Sequence, residues 1–507
     1  MQNATSRGIA PANHLLFASC ILHFALLVSA SCATSPVAVA PSPPVDPVAQ
    51  LRNDITIATH APGVQRAAWG IVVQSLATGE RLFELNPTTL LVPASTLKLV
   101  SLAAAVDAVG WQFSFITNLR TTEPIADVIG GDLIVQGTGD PSIGGRGGRD
   151  IGDLVDRIKA AGVRGINGRI IGDDNLVEEP RPQLAWAWDD LGYPAGALFG
   201  ALNYAENRME VTVQPGGAPG DLPMLRVEPR AASRPLQNRT TTGPAGSSPL
   251  VWPEQRPGEP FLTIAGSVPA GAVPTRIQVS VGNPTLWFAT ALRHALVNAG
   301  IAVAGEAYDI DDAAVGAAWD SAATFSSVAS ASLAELARPL LKDSINLYGE
   351  AVLRLSSRRG VFPTNDAALA GLRETLDRWG VRADAWQIVD GSGLSRRNAV
   401  APEVLVAVLR RMYDPSGGGS PWMDALPIAG RDGTLADRMR GTAAEANVRA
   451  KTGTMSNIRT LAGYVRTRDD EALAFAIMAD NFEGAGSTAV QAIDSIAVRL
   501  AEFSRRR

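Results

Sequence analysis

The chain has 507 residues, of which 46% are hydrophobic and 19% charged, and its net charge at pH 7 is −5. This length predicts two or three domains, because a single core seldom grows beyond about 300 residues. The slightly acidic balance, without a basic stripe, argues against a nucleic-acid partner.

Cysteine and histidine are scarce. Both cysteines, Cys20 and Cys32, precede the predicted body of the protein, and only His60 and His294 fall within that body. Such a body contains no disulfide, thiolate metal site or cysteine nucleophile. Two histidines are too few for a multi-histidine metal centre and argue against a Ser-His-Asp triad. We expect no metal and no cofactor, and a nucleophile that another group activates.

The N-terminus has the pattern of an export signal. Arg7 precedes an apolar run over 15–28, and small residues follow it. The run is shorter than the roughly 20 residues of a membrane span, and a charged start with a small-residue exit is typical of a cleaved signal. We assign 1–30 to a signal peptide, with cleavage after Ala30 or Ala40, and an uncleaved anchor helix as the alternative.

Three features bear on localisation. The stretch "LLVSASC" is similar to a bacterial lipoprotein signal, in which Cys32 would be lipidated. The Pro-rich residues 31–50 read as a tether. The basic end, Arg505–Arg507, suits a helix C-terminus and offers a weak membrane contact. We expect an exported protein of the periplasm or cell envelope, with peripheral or lipid-anchored membrane association as an option.

The first predicted elements are a hairpin and a helix. Residues 67–75 and 81–86 read as two strands joined by a turn. Ser95 to Ala108 reads as an apolar helix, and Gly110 is a natural stop.

Residues 115–310 have a different character. Short strand-like runs alternate with turn signals, and 214–275 is rich in Pro and Gly. This region is predicted to be mostly β with loops, framed by helical patterns at 150–162 and 285–300.

Helices return after this region, and a meander closes the chain. The predicted helices are 332–357, 365–380, 401–414 and, at the end, 487–504. The predicted strands of the antiparallel meander are 447–455, 458–467 and 472–480.

Ser95 and Lys98 lie three residues apart and share a helix face. A lysine in an apolar pocket has a depressed pKa and acts as a base. A serine near a helix start is exposed to backbone N–H groups that favour negative charge. The pair provides a nucleophile and its base without histidine. Taken alone, it is equally read as a capping serine and an exposed lysine.

Two further motifs complete a known signature. "SIN" places Ser344 and Asn346 between helical runs, and "KTGT" places 451–454 on a predicted edge strand. Alone, the first is an ordinary helix cap and the second a hairpin sequence. S-x-x-K, S-D-N and K-T-G in this order form one signature of penicillin-interacting serine enzymes.

With these motifs the chain resembles the low-molecular-mass class C penicillin-binding proteins, the D-alanyl-D-alanine carboxypeptidase/endopeptidase family (peptidase family S13). The resemblance covers nearly all of the body. It includes "GTGDPSIGG" (137–145), "WDDLGYPAGALFGALNYAEN" (188–207), "LKDSINLYGEAVLR" (341–354), "DGSGLSRRN" (390–398), "AGRDGTLADRM" (429–439) and "VRAKTGT" (448–454).

The resemblance implies an α+β fold. Its catalytic domain is like that of serine β-lactamases and DD-peptidases, with an antiparallel sheet flanked by helices. Ser344 follows Ser95 by 249 residues (344 − 95), and the family carries a large insertion there that forms two extra domains. We expect the catalytic domain in two parts, 51–114 and 311–507, and the β-rich insertion at 115–310.

The resemblance also implies residue roles. Ser95 attacks the carbonyl of the penultimate D-alanine, and Lys98 accepts its proton. Ser344, bonded to the lysines, relays a proton to the leaving amine. Lys451 helps to hold the terminal carboxylate, and backbone N–H groups of Ser95 and Thr454 form the oxyanion hole. The substrate-binding residues are Asn346, which binds the substrate's amide, Thr452, Gly453 and Thr454.

The implied function is D-Ala-D-Ala carboxypeptidase, and DD-endopeptidase on cross-links, with peptidoglycan stem peptides as substrates and β-lactams as covalent inhibitors. A serine β-lactamase and a non-catalytic peptidoglycan-binding protein of the same fold are the alternatives. No Glu is evidently placed to activate a deacylating water, which predicts slow β-lactam release. Ile345 replaces the usual polar middle residue of its motif and is expected to point away from the site.

Other motifs carry less. The Gly-rich 144–150 follows Pro141 and lacks a Gly-Lys dipeptide, so it is not a phosphate loop. Ser392 lacks nucleophile-elbow spacing and is expected to be structural or to line the cleft. Asp140 and Asp189 are expected to anchor loops.

Overall fold

A computed structural model describes residues 46–228, 235–313, 319–357, 363–413 and 420–506 of the chain. The expected signal peptide, both cleavage points, Cys32 and most of the expected tether lie outside these ranges. Across the described ranges, no helix has the length and apolar character that crossing a membrane requires.

The described helices and strands alternate along the chain. The helices are α1 (Pro47–Thr59), α2 (Leu97–Val109), α3 (Gly152–Ala160), α4 (Pro284–Asn298), α5 (Leu333–Lys342), α6 (Asn346–Arg354), α7 (Asn365–Arg378), α8 (Pro402–Met412), α9 (Pro421–Ala425) and α10 (Gly486–Glu502). The strands are β1 (Ala68–Ser75), β2 (Arg81–Leu85), β3 (Ile116–Thr121), β4 (Val128–Ile129), β5 (Leu133–Gly137), β6 (Gly165–Ile166), β7 (Ile170–Asp173), β8 (Arg208–Gln214), β9 (Met224–Glu228), β10 (Leu236–Gly243), β11 (Leu250–Glu254), β12 (Leu262–Pro269), β13 (Thr275–Ser280), β14 (Ala302–Val303), β15 (Ala307–Asp309), β16 (Ala323–Ala329), β17 (Trp386–Gln387), β18 (Ala399–Val400), β19 (Arg449–Met455), β20 (Ile458–Arg466) and β21 (Ala472–Asp480).

A five-stranded antiparallel sheet joins the two ends of the body. Its strand order is β19-β20-β21-β1-β2, and β1 pairs with β21 from Ala68 opposite Asp480 to Ser75 opposite Leu473. The early hairpin and the late meander therefore form one sheet, and β19 is an edge strand as the sequence predicted.

Helices cover both faces of this sheet. On one face α1 and α10 pack through apolar side chains such as Ile55 and Ile493. On the other face α2 lies among α5, α6, α7 and α8. Each residue from Leu97 to Ala105 in α2 is buried, and burying a Leu or Val side chain contributes roughly 1.5–3 kcal/mol. A central helix of this kind explains the uniform apolar run around Lys98.

Helix α1 begins at Pro47, within the last residues of the segment 31–50 expected to be a tether. The Asp46 carboxylate accepts a hydrogen bond from the Val48 N–H, and proline occupies the first helical position. Both features favour a helix start. The helix is then fixed by burial of Leu51 and Ile55.

The region between the two catalytic parts forms two further bodies. One has the sheet β15-β7-β5-β3-β16 with α3 and α4 packed through side chains such as Phe288 and Leu292. The other places the sheets β13-β8-β9 and β10-β12-β11 around a core that includes Val211, Ile264 and Val279. The predicted α+β class with a β-rich insertion is confirmed.

Strand β16 lies beyond residue 310, where we expected the insertion to end. It pairs with β3 from Ala323 opposite Thr121 to Ala329 opposite Ile116. We therefore propose that the insertion ends after β16 and the second catalytic part begins with α5. At the far end of the chain, Arg505 pairs with Glu471 and Glu80, so the described part of the basic tail is held against the catalytic sheet.

Candidate active site

Ser95 lies in a 3-10 turn, Ala94–Thr96, that precedes α2. The sequence analysis placed it in the first turn of the helix itself. The difference follows from Pro93, whose carbonyl accepts hydrogen bonds from the hydroxyls of Thr96 (2.6 Å) and Thr460 (2.9 Å). These bonds tie the turn to β20 and direct the Ser95 side chain toward the cleft.

Lys98 is completely buried, one turn after Ser95. Its ammonium donates to Ser95 Oγ at 2.9 Å, Asn346 Oδ1 at 2.7 Å and the Ser392 carbonyl at 2.7 Å. Three acceptors satisfy all three N–H groups of the amine. The expected juxtaposition of Ser95 and Lys98 is therefore present, and Lys98 does not reach solvent.

The pKa of Lys98 is lowered to about 7. Burial is the larger cause, and the negative charges of Asp390 and Glu350 oppose it. At neutral pH a large fraction of Lys98 is therefore the free amine, which can accept a proton.

Lys451 is also completely buried, on β19. It donates to Ser344 Oγ at 2.8 Å and to the Thr452 carbonyl at 2.8 Å. Burial, and then the charge of Lys98, lowers its pKa. Ser344 lies between α5 and α6 with a positive φ of 61°. We expected Ser344 to bond both lysines; among the described residues its hydroxyl bonds Lys451, and Asn346 is the motif residue that bonds Lys98.

Asn346 links the catalytic domain to the insertion. Its oxygen accepts from Lys98, and its Nδ2 donates to the Ala195 carbonyl at 2.8 Å. One of the two amide N–H bonds is left to donate to a substrate carbonyl. Ile345 packs against the core of the helical layer, as expected for a side chain that points away from the site.

The K-T-G strand packs tightly against the Ser95 turn. A Cβ on Gly453 would stand 2.1 Å from Thr460 Oγ1 and 2.8 Å from the Pro93 carbonyl oxygen, so only glycine fits. Thr452 Oγ1 donates to Thr434 Oγ1 at 2.7 Å. Thr454 is exposed and lines the cleft.

Two buried carboxylates support the loop that holds Lys98, and the sequence analysis missed both roles. Glu350 accepts from the Ser392 N–H at 2.9 Å, and burial raises its pKa. Asp390 accepts from the Gly393 and Ser395 N–H groups at 2.8 and 2.7 Å. Glu350 follows Asn346 by one helical turn, a spacing that could have suggested a shared face.

The cleft has a volume of about 290 Å³. Its lining includes Ser95, Asn346, Thr454, Asp189, Asp190 and Arg396. Among the described residues, no group of three or more His, Cys, Asp or Glu side chains is placed to hold a metal ion.

The remaining sequence candidates divide clearly. The Ser392 side chain is fully buried, so this residue is structural and acts through its carbonyl. Asp140 anchors its loop by accepting from the Ser142 N–H and hydroxyl at 2.9 and 2.6 Å. Asp189 does not anchor a loop as expected; it is exposed on a short 3-10 turn and lines the cleft.

Comparison with known proteins gives a consistent family. A model of the D-Ala-D-Ala carboxypeptidase 3 (S13) family matches residues 51–502. The chain is 34% identical over 479 residues to the D-alanyl-D-alanine carboxypeptidase of Actinomadura sp. (strain R39), covering 90% of this chain and 85% of that protein. It is 25% identical to D-alanyl-D-alanine carboxypeptidase DacB of Haemophilus influenzae, covering 80% of this chain and 84% of that protein.

Solved structures share the fold. Penicillin binding protein 4 from Haemophilus influenzae gives a TM-score of 0.74 at 23% identity, over 89% of this chain and 99% of that chain. A second structure of that protein is a complex with a novel β-lactam, with a TM-score of 0.71 at 24% identity, over 89% of this chain and 100% of that chain.

Proposed function

Because the chain belongs to the D-Ala-D-Ala carboxypeptidase 3 (S13) family of hydrolases, we propose that it releases the terminal D-alanine of peptidoglycan stem peptides through an acyl-enzyme on Ser95. The observation that carries this proposal is the fully buried amine of Lys98, 2.9 Å from the Ser95 hydroxyl at the cleft. The pKa of about 7 makes this amine a base at neutral pH.

Substrate binding would use both walls of the cleft. Thr452 and Thr454 on the edge strand, with the ammonium of Lys451 behind them, hold the terminal carboxylate. The free N–H of Asn346 donates to a peptide carbonyl on the acyl side. The glycine between the two threonines lets the strand approach Ser95 closely, which brings the scissile carbonyl to the nucleophile.

In the acylation step, Lys98 takes the proton of the Ser95 hydroxyl while Oγ bonds to the carbonyl carbon of the penultimate D-alanine. Backbone N–H groups of Ser95 and Thr454 stabilise the oxyanion, and one such donor contributes roughly 10²–10³ in rate. The C–N bond then breaks. Ser344, bonded to Lys451 at 2.8 Å, passes a proton to the departing amine of D-alanine.

Deacylation would follow by water attack on the ester. Lys98 takes a proton from the water, the ester C–O bond breaks, and the proton returns to Ser95 Oγ. A β-lactam acylates Ser95 in the same way, but its leaving amine stays tethered to the acyl group and hinders water. We infer that penicillin gives a long-lived adduct, which distinguishes this enzyme from a β-lactamase.

The proposal extends to two finer points. The same chemistry cleaves the D-alanyl bond of a cross-link, so DD-endopeptidase activity is part of the proposed function. The substrate lies outside the cytoplasm, which agrees with the export pattern of the first 30 residues. We therefore place the protein in the periplasm or cell envelope, with peripheral or lipid-anchored membrane association still a proposal.

The test is hydrolysis by the purified protein. A peptide ending in D-Ala-D-Ala should release free D-alanine, and purified cross-linked muropeptides should be converted to monomers. The Ser95→Ala variant should do neither. Rapid, repeated penicillin turnover would favour the β-lactamase alternative, and a protein that neither hydrolyses peptide nor reacts with penicillin would be a binding protein of this fold.

A further inference from the structure

A second cavity, of about 320 Å³, adjoins the catalytic cleft. Three aromatic residues, Trp188, Tyr193 and Trp252, line it together with the acidic residues Asp189, Asp190 and Glu254. We call this cavity the aromatic groove. It lies outside the machinery assigned to peptide hydrolysis above.

The three aromatic side chains are unusually open to solvent. Trp188 is 48% exposed, Tyr193 40% and Trp252 37%. Single exposed apolar residues are common on protein surfaces, but a cluster of them rimmed by polar groups marks a binding site. Concave sites of this size, lined by aromatic rings and a few polar groups, are the usual form of a small-ligand pocket.

The groove is built from two elements that are locked together. The loop that carries Trp188 and Tyr193 is fixed to β13, because the Gly192 carbonyl accepts from the Ser280 N–H at 3.1 Å. It also packs on β11, since a Cβ on Gly192 would stand 3.2 Å from Pro253 Cβ. The rings of the loop and of β11 are thus held on opposite sides of a preformed groove.

The groove is continuous with the catalytic cleft. Asp189 and Asp190 line both cavities. The same loop continues to Ala195, whose carbonyl is bonded to Asn346. A ligand that extends from the cleft past Asn346 therefore enters the groove.

The chemistry of the groove selects among extended ligands. Aromatic faces carry partial negative charge and attract the C–H groups on the flat face of a sugar ring. Carboxylates are acceptors only, and they bind the hydroxyl and amide N–H donors that an N-acetylated sugar presents. No Lys or Arg lines the described groove, so a strongly anionic polymer or a peptide rich in carboxylates is disfavoured.

We propose that the aromatic groove is a saccharide subsite, which binds N-acetylated amino-sugar units of the glycan that carries the stem peptide. The inference rests on the proposed function for its substrate, and it assigns part of substrate recognition to the insertion. Trp252 on β11 and Trp188 on the loop are the ring platforms, and Glu254 and Asp190 are the acceptors.

The test separates sugar recognition from peptide hydrolysis. Two substrates are compared with the full-length protein: a pentapeptide ending in D-Ala-D-Ala, and the same peptide carrying its disaccharide. We expect kcat/KM to be about tenfold higher for the sugar-bearing substrate, which corresponds to about 1.4 kcal/mol. Trp252→Ala should abolish this preference and leave turnover of the sugar-free peptide unchanged. Leu250→Ala, an exposed apolar residue on the same strand and outside the groove, is the matched control and should keep the preference.

A binding measurement makes the outcome independent of catalysis. Calorimetric titration with chitotetraose, a neutral chain of N-acetylglucosamine, should show binding that Trp252→Ala removes and Leu250→Ala retains. If neither peptide is hydrolysed but chitotetraose binds in this way, the proposed function fails and the saccharide subsite stands. Equal kcat/KM for both peptides with no chitotetraose binding overturns the subsite. A Trp252-dependent preference for sugar-free cross-linked peptides over the disaccharide substrate also overturns it, because the groove would then hold a second stem peptide.

Discussion

Lys98 and Lys451 are two lysines buried in one small site, and each is kept there by acceptors rather than by an ion pair. Lys98 bonds a hydroxyl, an amide oxygen and a carbonyl, and Lys451 bonds a hydroxyl and a carbonyl. Neutral acceptors do not offset the desolvation of a charge fully, so the pKa values of both amines fall. A base and an electrostatic anchor arise from the same residue type in this way.

The first prediction concerns Lys98→Met. Methionine has a similar volume, so the helix should stay packed. A general base contributes roughly 10²–10⁴ in rate, and we expect the rate of penicillin acylation to fall by that order. Acylation is followed by labelling with a fluorescent penicillin, and folding by thermal unfolding. Lys159→Met, an exposed lysine on α3, is the control; undiminished acylation in Lys98→Met would rule out the base assignment.

The second prediction concerns pH. The pKa of Lys98 is about 7, and only the neutral amine can accept the Ser95 proton. The value of kcat/KM for a D-Ala-D-Ala peptide should therefore rise with pH through about 7 and level off above it. The acylation rate of penicillin should follow the same curve. A profile that is flat between pH 6 and 8 would contradict the assignment.

The motif residues could be predicted from the sequence, since the chemistry resides in their side chains and their order is diagnostic. The structure brings Ser95, Lys98, Ser344, Asn346 and Lys451 into one site. The backbone carbonyls of Ser392 and Ala195 could not be predicted, because any residue type supplies a carbonyl and only the fold decides where it points.

At the scale of elements, the nucleophile turn is clamped between a strand and a loop. Gly453 of β19 and Gly393 of the loop after Asp390 both contact it, and a Cβ on Gly393 would stand 1.9 Å from the Ala94 carbonyl oxygen. The turn thus has no room to relax into the first turn of an α-helix. The sequence predicted the helix and its end at Gly110, but its start depends on these distant neighbours.

The third prediction compares two glycines. Gly393 and Gly380 both have positive φ, 82° and 75°, but a Cβ on Gly380 would meet nothing within 4 Å. Gly380→Ala should therefore lose only the conformational term, about 1–2 kcal/mol. Gly393→Ala should lose more in urea unfolding and should also lose penicillin acylation, because the Ala94–Thr96 turn must shift. Equal effects of the two substitutions would show that the clamp does not matter.

The fourth prediction concerns the end of β21. Asp480 accepts from the Val92 N–H at 2.7 Å, and burial raises its pKa to about 6 from 3.8. The folded protein therefore binds this proton more tightly than the unfolded chain, and this group lowers stability as the pH rises from about 4 to above 6. Asp480→Asn should raise the free energy of unfolding at pH 7.5 by on the order of 1 kcal/mol, with little gain at pH 4.

Urea unfolding at the two pH values measures this difference. Asp156→Asn, at an exposed position of α3, should show no such pH dependence. A substitution at Asp480 that destabilises the protein equally at both pH values would contradict the account.

For the whole molecule, the catalytic domain is closed by pairing segments from opposite ends of the chain. The sequence predicted this division, because the strands of its two ends are antiparallel in pattern and lack partners nearby. It also predicted a β-rich insertion. The return of β16 to β3 and the parallel pairing of β10 with β12 were not predictable, since register between distant strands depends on tertiary packing.

The insertion reaches the catalytic site at one well-defined point. The loop 187–197 is fixed to β13 through the Gly192 carbonyl and contacts Asn346 through Ala195. Recognition by the insertion and chemistry by the catalytic domain are therefore joined through a short, rigid segment. The family resemblance indicated that an insertion exists, but the sequence did not indicate which of its loops borders the cleft.

The central claim is that Ser95 is the acylated nucleophile, and mass spectrometry of the intact protein after exposure to penicillin tests it most directly. The account predicts a stable mass increase of one penicilloyl group, located by peptide mapping on the segment that contains Ser95 and absent in Ser95→Ala. An adduct that persists in Ser95→Ala, or one that maps to another residue, would contradict it.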